Sequence, residues 1–284
     1  MSTNVLFDAP GPRTRRRHAL YSALSVLGIL ALIAWWLWRL DQNGQLAYEK
    51  WEAFVTPSYV RVLLVDGLLQ TLKMAALAIA FAVAFGFTFG VGKLSDHRWV
   101  RWPSWLVVEF FRAVPVLLLM IFVWYALGIA KDGTSFWAVV IALTLYNGSV
   151  LAEVLRAGIL AVPRGQSEAA YALGMRKTQV VSIVMLPQAV KIMLPAIISQ
   201  CVVALKDTAL GIAIAAPGLT LVARQIYLEQ NNRVPTMLVV AALYITVNLI
   251  LTALATWLQR RYVGEKRLEV PMVGDAETRG KVPA

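Results

Sequence analysis

Apolar residues in this chain come in long blocks separated by short polar ones, a pattern with neither the alternation of a strand nor the one-sided stripe of a soluble helix. The blocks run from about 19 to 40, 62 to 94, 105 to 129, 136 to 160, 188 to 216 and 235 to 258. Each supplies roughly the 20 residues that cross a bilayer as a helix, so the pattern predicts an all-α polytopic membrane protein of six spans. The first span closes on Trp35, Trp36, Trp38 and Arg39, an interfacial aromatic belt. Those tryptophans stand where a cleavage site would need small residues, so the first helix is expected to be retained. Gly86 and Gly90, four apart in the second run, predict close packing against another helix. Pro195 predicts a kink in the fifth.

Composition fits that solvent. With 59% hydrophobic and 15% charged residues the chain is too apolar for a water-soluble domain of its length. A net charge of +11 raises the possibility of nucleic-acid binding, but the cations fall between apolar runs and at the chain ends and do not form one basic face. They follow topology. Arg13 to Arg17, Lys93 to Arg101, Arg164 to Lys177 and Arg260 to Arg267 alternate with loops of mixed charge, such as 41–61 and the polar segment 217–234. Six helices with both termini in the cytoplasm satisfy the positive-inside rule throughout. The ends, 1–18 and 263–284, are expected to be solvated tails, the second disordered. One cysteine, Cys201, and two histidines, His18 and His97, give no disulfide framework and no metal site.

Ionisable residues inside apolar runs are costly, so each needs a partner or a function. Glu109 and Arg112 stand three apart, as do Glu153 and Arg156, which predicts two neutralising pairs on helix faces. Deep in the fifth run sit Lys206, Asp207 and Thr208. They admit two readings: a polar station on a translocation path, or scaffold charges that mark a helix end or pair with Arg112 or Glu153.

The stretch Glu168–Pro187, EAAYALGMRKTQVVSIVMLP, is a basic island with the punctuation of a helical elbow. Ser167 is positioned to cap a first short helix, Gly174 to end it in the left-handed conformation, and Thr178 to cap a second. Small residues at Ala169, Ala170 and Ala172 let another surface approach closely.

The spacing Glu168-Ala169-Ala170, three residues, Gly174, nine residues, Val184, then Leu186-Pro187 resembles the EAA motif of the membrane subunits of ABC importers, with valine where isoleucine is usual. The resemblance continues through Gly67–Thr71, Phe111–Pro115, Leu151–Ala170 and Leu205–Leu210, and is to the polar amino acid branch, the histidine, glutamine and glutamate type. It implies the transmembrane domain of a type I ABC importer: a five-helix core over 62–262, a coupling helix at 163–177, and an extra N-terminal helix with its extracytoplasmic loop in 19–61. The implied function is a pore-forming permease in the bacterial cytoplasmic membrane, not an enzyme. Glu168, Ala169, Ala170, Gly174, Arg176, Leu186 and Pro187 would couple it to an ATPase. Lys206, Asp207, Thr208, Asn147, Glu153 and Arg112 are candidates for the substrate pathway.

The implied partners are a second permease chain, alike or different, two ATP-binding subunits and an extracytoplasmic amino-acid-binding protein. No GxxxxGK[ST] loop is present, so ATP and magnesium belong to the partner ATPase and no cofactor to this chain. The cations Arg112 and Arg156 favour an acidic amino acid, glutamate or aspartate. An ion-gradient-driven secondary transporter would need internal repeats with broken helices in matching halves, and the sequence shows none. A membrane-embedded enzyme would need clustered His, Asp or Glu, whereas the carboxylates here are scattered.

Overall fold

A computed structural model describes residues 11–128 and 133–263. Most of the two expected tails, residues 1–10 and 264–284, lies outside the described residues, as do Ile129, Lys131 and Asp132. The helices are α1 (Pro12–Gln42), α2 (Pro57–Lys93), α3 (Arg98–Ala113), α4 (Val116–Leu127), α5 (Thr134–Leu160), α6 (Arg164–Ala172), α7 (Lys177–Ile214), α8 (Leu219–Gln230) and α9 (Arg233–Val263). Helices α1, α2, α5, α7 and α9 are each long and apolar enough to span a membrane, and α3 with α4 reach that length and apolarity only together, as a bent pair.

The break corrects the expectation of a single straight third helix. At Val114-Pro115 the backbone is extended, because proline cannot donate to the ladder and its ring disfavours the helical region for the residue before it. The chain bends there by 105°. A second correction concerns 217–234, expected to be a polar loop: Leu219–Gln230 is helical, with Leu219, Val222, Ala223 and Ile226 buried on one face. The polar Thr220, Arg224 and Gln225 fall between these positions, so the one-sided stripe is too short to register as an apolar run.

Helix α5 is the centre of the molecule, 61% of its most apolar window being buried, against 6% for α7 and α9 and none for α1. It packs on α2 with glycines on both sides of the seam. A Cβ added at Gly86 would stand 2.7 Å from Leu151 Cβ, one at Gly90 2.9 Å from Ala152 O, and one at Gly148 2.8 Å from Phe85. Numbers rise together along the seam, so α2 and α5 run parallel, and Lys93 and Leu160 lie at the same end of the bundle. That end carries the elbow. An apolar cluster of Leu155, Ile159, Val162 and Ala189 closes it, while Met74, Met120, Val139, Leu143 and Ile214 fill the other half.

The opposite end is closed by polar pairing. The buried Thr71 hydroxyl donates to Gly67 O (3.0 Å) and accepts from Leu219 N–H (2.9 Å), satisfying an orphan donor in the first turn of α8. Gly67 leaves room for it, since a Cβ there would stand 3.2 Å from Leu219 Cα. The 41–61 loop joins this end: Lys50 Nζ donates to Asn231 O (3.1 Å) and Asn232 Nδ2 to Lys50 O (3.0 Å).

Replacing Gly86 by Ala should lower stability by about 1–3 kcal/mol, the usual cost of overpacking, read as a lower unfolding midpoint of the purified protein in detergent. Gly28→Ala, on open helix surface with nothing near its Cβ, should leave the midpoint unchanged or slightly higher.

Candidate functional site

The elbow begins after Pro163, whose extended backbone (ψ 132°) turns the chain out of α5, and Arg164 opens helix α6. Ser167 therefore lies inside the helix and is not its cap; its hydroxyl donates to Arg164 O (2.8 Å). Gly174 does sit in the left-handed region, at φ 78°. Its N–H donates to Tyr171 O (2.9 Å) and that of Met175 to Ala170 O (3.2 Å), the paired bonds of a Schellman ending. The second helix opens at Lys177, with the Arg176 N–H held by the Gln179 side-chain oxygen (2.9 Å). Thr178 therefore lies inside the helix, which starts two residues earlier than a Thr178 cap would place it, and Gln179 reaches back to the cap residue instead.

From Lys177 the helix runs unbroken to Ile214 through Leu186, Pro187 and Pro195. A π-helical stretch at Val180–Met185 precedes Pro187, and such a bulge accommodates a residue that cannot donate to the ladder. The elbow is thereby continuous with a spanning helix. Ala170 is buried, whereas Glu168, Ala169, Tyr171, Leu173, Gly174 and Arg176 are exposed, Leu173 at 83%. The result is a solvent-facing knob with one side chain anchoring it to the bundle.

Two sets of polar contacts hold the knob. The Lys177 ammonium donates to Leu94 O (3.3 Å) and to the Asp96 carboxylate, fastening α7 to the end of α2. That hydrogen bond holds the Asp96 carboxyl below the usual carboxylate range; the contact is present above that range and is lost as the pH falls through the lowered value. Gln188 Nε2 also donates to Gln166 Oε1 (3.3 Å).

Behind the knob lies an ion cluster. The Lys93 side chain, only 5% exposed, pairs with Glu153 of α5 and with Glu109 of α3 (3.3 Å), and Glu109 also takes Arg112 Nη1 (3.4 Å). The expected Glu109–Arg112 pair is present, but Glu153 pairs with Lys93 and not with Arg156. A buried ammonium outcompetes a half-exposed guanidinium for the carboxylate it faces, since only the former lacks water. Sequence reasoning assigned Lys93 to a loop; its spacing of seven from Gly86 and three from Gly90 places it on the glycine face of α2.

The residues expected along a substrate pathway fall in three places. Glu153 and Arg112 belong to the ion cluster. Asn147 is buried in α5, donating to Leu143 O (3.0 Å) and accepting from Gln200 of α7. Lys206 faces α9 across a groove, Asp207 is half-buried beside it, and the buried Thr208 donates to Leu205 O (2.6 Å). Lys206 and Asp207 therefore pair with neither Arg112 nor Glu153. Among the described residues no group of three or more His, Cys, Asp or Glu is placed to hold a metal ion.

Residues 78–264 match the model of one protein family, the binding-protein-dependent transport system inner membrane component. The chain belongs to that family. This permease is an integral membrane protein and a transport subunit, not an enzyme. It is 42% identical to the glutamate transport system permease protein GluD of Corynebacterium glutamicum, over 78% of this chain and 83% of that one. It is 30% identical to the glutamate/aspartate import permease protein GltK of Escherichia coli, over 70% and 92%. Its fold resembles a solved structure of an amino acid ABC transporter with histidines, at TM-score 0.67 and 30% identity, covering 73% of this chain and 98% of that one.

Breaking the ion cluster from one side should be costly. Lys93→Met should destabilise the permease by about 2–3 kcal/mol, below the range for a fully buried pair because Glu153 keeps some water, and adding Glu153→Leu should restore most of the loss. A double-mutant cycle on unfolding in detergent reads the coupling; simple additivity would contradict it.

Proposed function

We propose that this chain is the pore-forming permease of an ATP-driven importer of polar amino acids, glutamate and aspartate first among them. The observation that carries the coupling is the elbow: an exposed helix, ended by a left-handed glycine, tied at its back to α2 and continuous with a spanning helix. A surface so mounted transmits force without local unfolding. In this reading Glu168, Ala169, Gly174 and Arg176 meet a separate ATPase subunit, while Ala170, Leu186 and Pro187 shape the mount. ATP-driven closure of the ATPase pair moves the knob as a rigid body, and the attached helices tilt to close one entrance and open the other.

The substrate reading draws support from relatives named for glutamate and for glutamate and aspartate. The full assembly comprises two permease chains, two ATP-binding subunits that carry ATP and magnesium, and an extracytoplasmic binding protein. The elbow end faces the cytoplasm, as its lysines and arginines favour, and both chain ends lie on that side. Helix α1, which stands clear of the bundle, is an addition to a core formed by residues 62–262.

Glu168→Lys and Gly174→Asp should each leave ATP hydrolysis by the reconstituted assembly while reducing amino acid uptake by about tenfold or more, a loss on the scale of one charge-assisted contact. Gly174→Asp should also weaken the elbow by about 1–2 kcal/mol through its positive φ. Normal coupled uptake by both variants would refute the role assigned to the elbow.

A further inference from the structure

The first turns of α3 carry a cleft of about 660 Å³, lined by Arg98, Trp99, Arg101, Trp102 and Pro103. Its depth follows from chain order. Helix α2 ends at Lys93 and α3 opens at Arg98, so the short turn 94–97 joins α3 to a spanning helix. The cleft therefore stands at the edge of the bilayer, beside the turn to which Lys177 ties the elbow. Close packing holds α3 in place there: Ser104 and Val108 are buried, and a Cβ on Gly92 would collide with the Ser104 hydroxyl.

Arg98 with Arg101, and Trp99 with Trp102, are each three apart, which sets a cationic edge and an aromatic edge side by side on the helix. All four are exposed, Trp99 at 92%. Neither guanidinium makes an ion pair among the described residues, and the neighbouring carboxylates are already answered, Asp96 by Lys177 and Glu109 by Lys93 and Arg112. The cleft thus keeps two uncompensated positive charges. From its aromatic edge the exposed Leu106 and Phe110 continue at spacings of four, an apolar stripe along α3. The complement of such a face carries a delocalised anion at one end and a hydrocarbon body at the other. Guanidinium forks match phosphate oxygens, and tryptophan suits the boundary between headgroups and chains. A zwitterionic headgroup would bring a cation of its own against the arginines.

We infer that this cleft seats an anionic phospholipid of the leaflet at the elbow end. Arg98 and Arg101 donate to its phosphodiester, the indoles of Trp99 and Trp102 flank its glycerol, and its chains lie against Leu106 and Phe110. The seat begins two residues after Asp96, so a lipid held there braces the turn that anchors the elbow. Its chemistry is independent of what the permease carries and of how transport is driven.

The test is native mass spectrometry of the full-length permease released from nanodiscs of equal parts phosphatidylglycerol and phosphatidylcholine, counting the lipids that stay bound. The wild-type chain should retain phosphatidylglycerol in preference to phosphatidylcholine. Arg98→Gln and Arg101→Gln should each lower that preference by about fivefold, and Arg98→Lys with Arg101→Lys, which keep the charge, should preserve most of it. Arg260→Gln with Arg261→Gln should leave it unchanged, although these exposed arginines also sit beside a tryptophan, Arg261 lying 5.8 Å from the Trp257 ring centre. Equal retention of the two lipids, an unchanged preference when Arg98 and Arg101 are both replaced by Gln, or an equal loss from the α9 pair would overturn the proposal. Displacement of the lipid by inorganic phosphate would assign the cleft to a free anion and overturn it too. Where a variant fails to fold, crosslinking of the wild-type chain by phosphatidylglycerol with a diazirine in its headgroup decides: labelling within 98–103 is expected, and labelling confined to other segments contradicts the seat.

Discussion

The close approach of α2 and α5 is the constraint on which the rest of the structure depends. Three glycines line the seam, and a single added methyl at any of them would meet a neighbour within 3 Å. In a bilayer this matters more than in water, because lipid tails are as apolar as leucine and helices associate through close packing and polar contacts. Contact at backbone range fixes the rotation of α2 about its axis, and that rotation aims Lys93 inward at Glu153. A buried ammonium can be kept only beside its carboxylate. The seam and the ion pair therefore enforce each other, the first by shape and the second by the cost of separating the charges.

Both ends of the seam then acquire fixed partners. At the far end, Gly67 and Thr71 bring α2 against the first turn of α8, where one hydroxyl serves a carbonyl and an amide at once. At the near end, α5 passes through Pro163 into α6, and Lys177 returns to the Leu94 carbonyl just past α2. The knob is thus carried by both helices of the seam. Helices α7 and α9 are different: their apolar windows are 6% buried, and among the described residues the exposed Lys206 of α7 makes no ion pair. The molecule combines a closely packed axis with a face that the chain itself leaves largely uncovered.

Much of this was legible in the residues. Apolar block length gave the spans, and the glycine after Tyr171-Ala172-Leu173 gave the left-handed end of the elbow, because φ 78° excludes most other residues. Ser167 and Thr178 were misplaced because capping chemistry identifies that a helix begins nearby but not at which residue. The third span misled because hydropathy is blind to backbone direction; Val114-Pro115 carried the warning. Pairings were the least legible. Glu153 had a local candidate in Arg156, and only tertiary rotation shows that Lys93, sixty residues away, takes its place.

The account stands or falls on whether the knob and the seam move as one body. Spin labels at Trp137 and Tyr171, both exposed and at opposite ends of the α5–elbow unit, in a chain whose Cys201 is replaced by alanine, report this directly through pulsed dipolar distances in the reconstituted assembly. The account predicts one narrow distance distribution, the same without nucleotide and with ATP bound. A distribution that shifts by several ångströms or splits on ATP binding would show that the elbow hinges at Pro163, and would contradict a rigid mount.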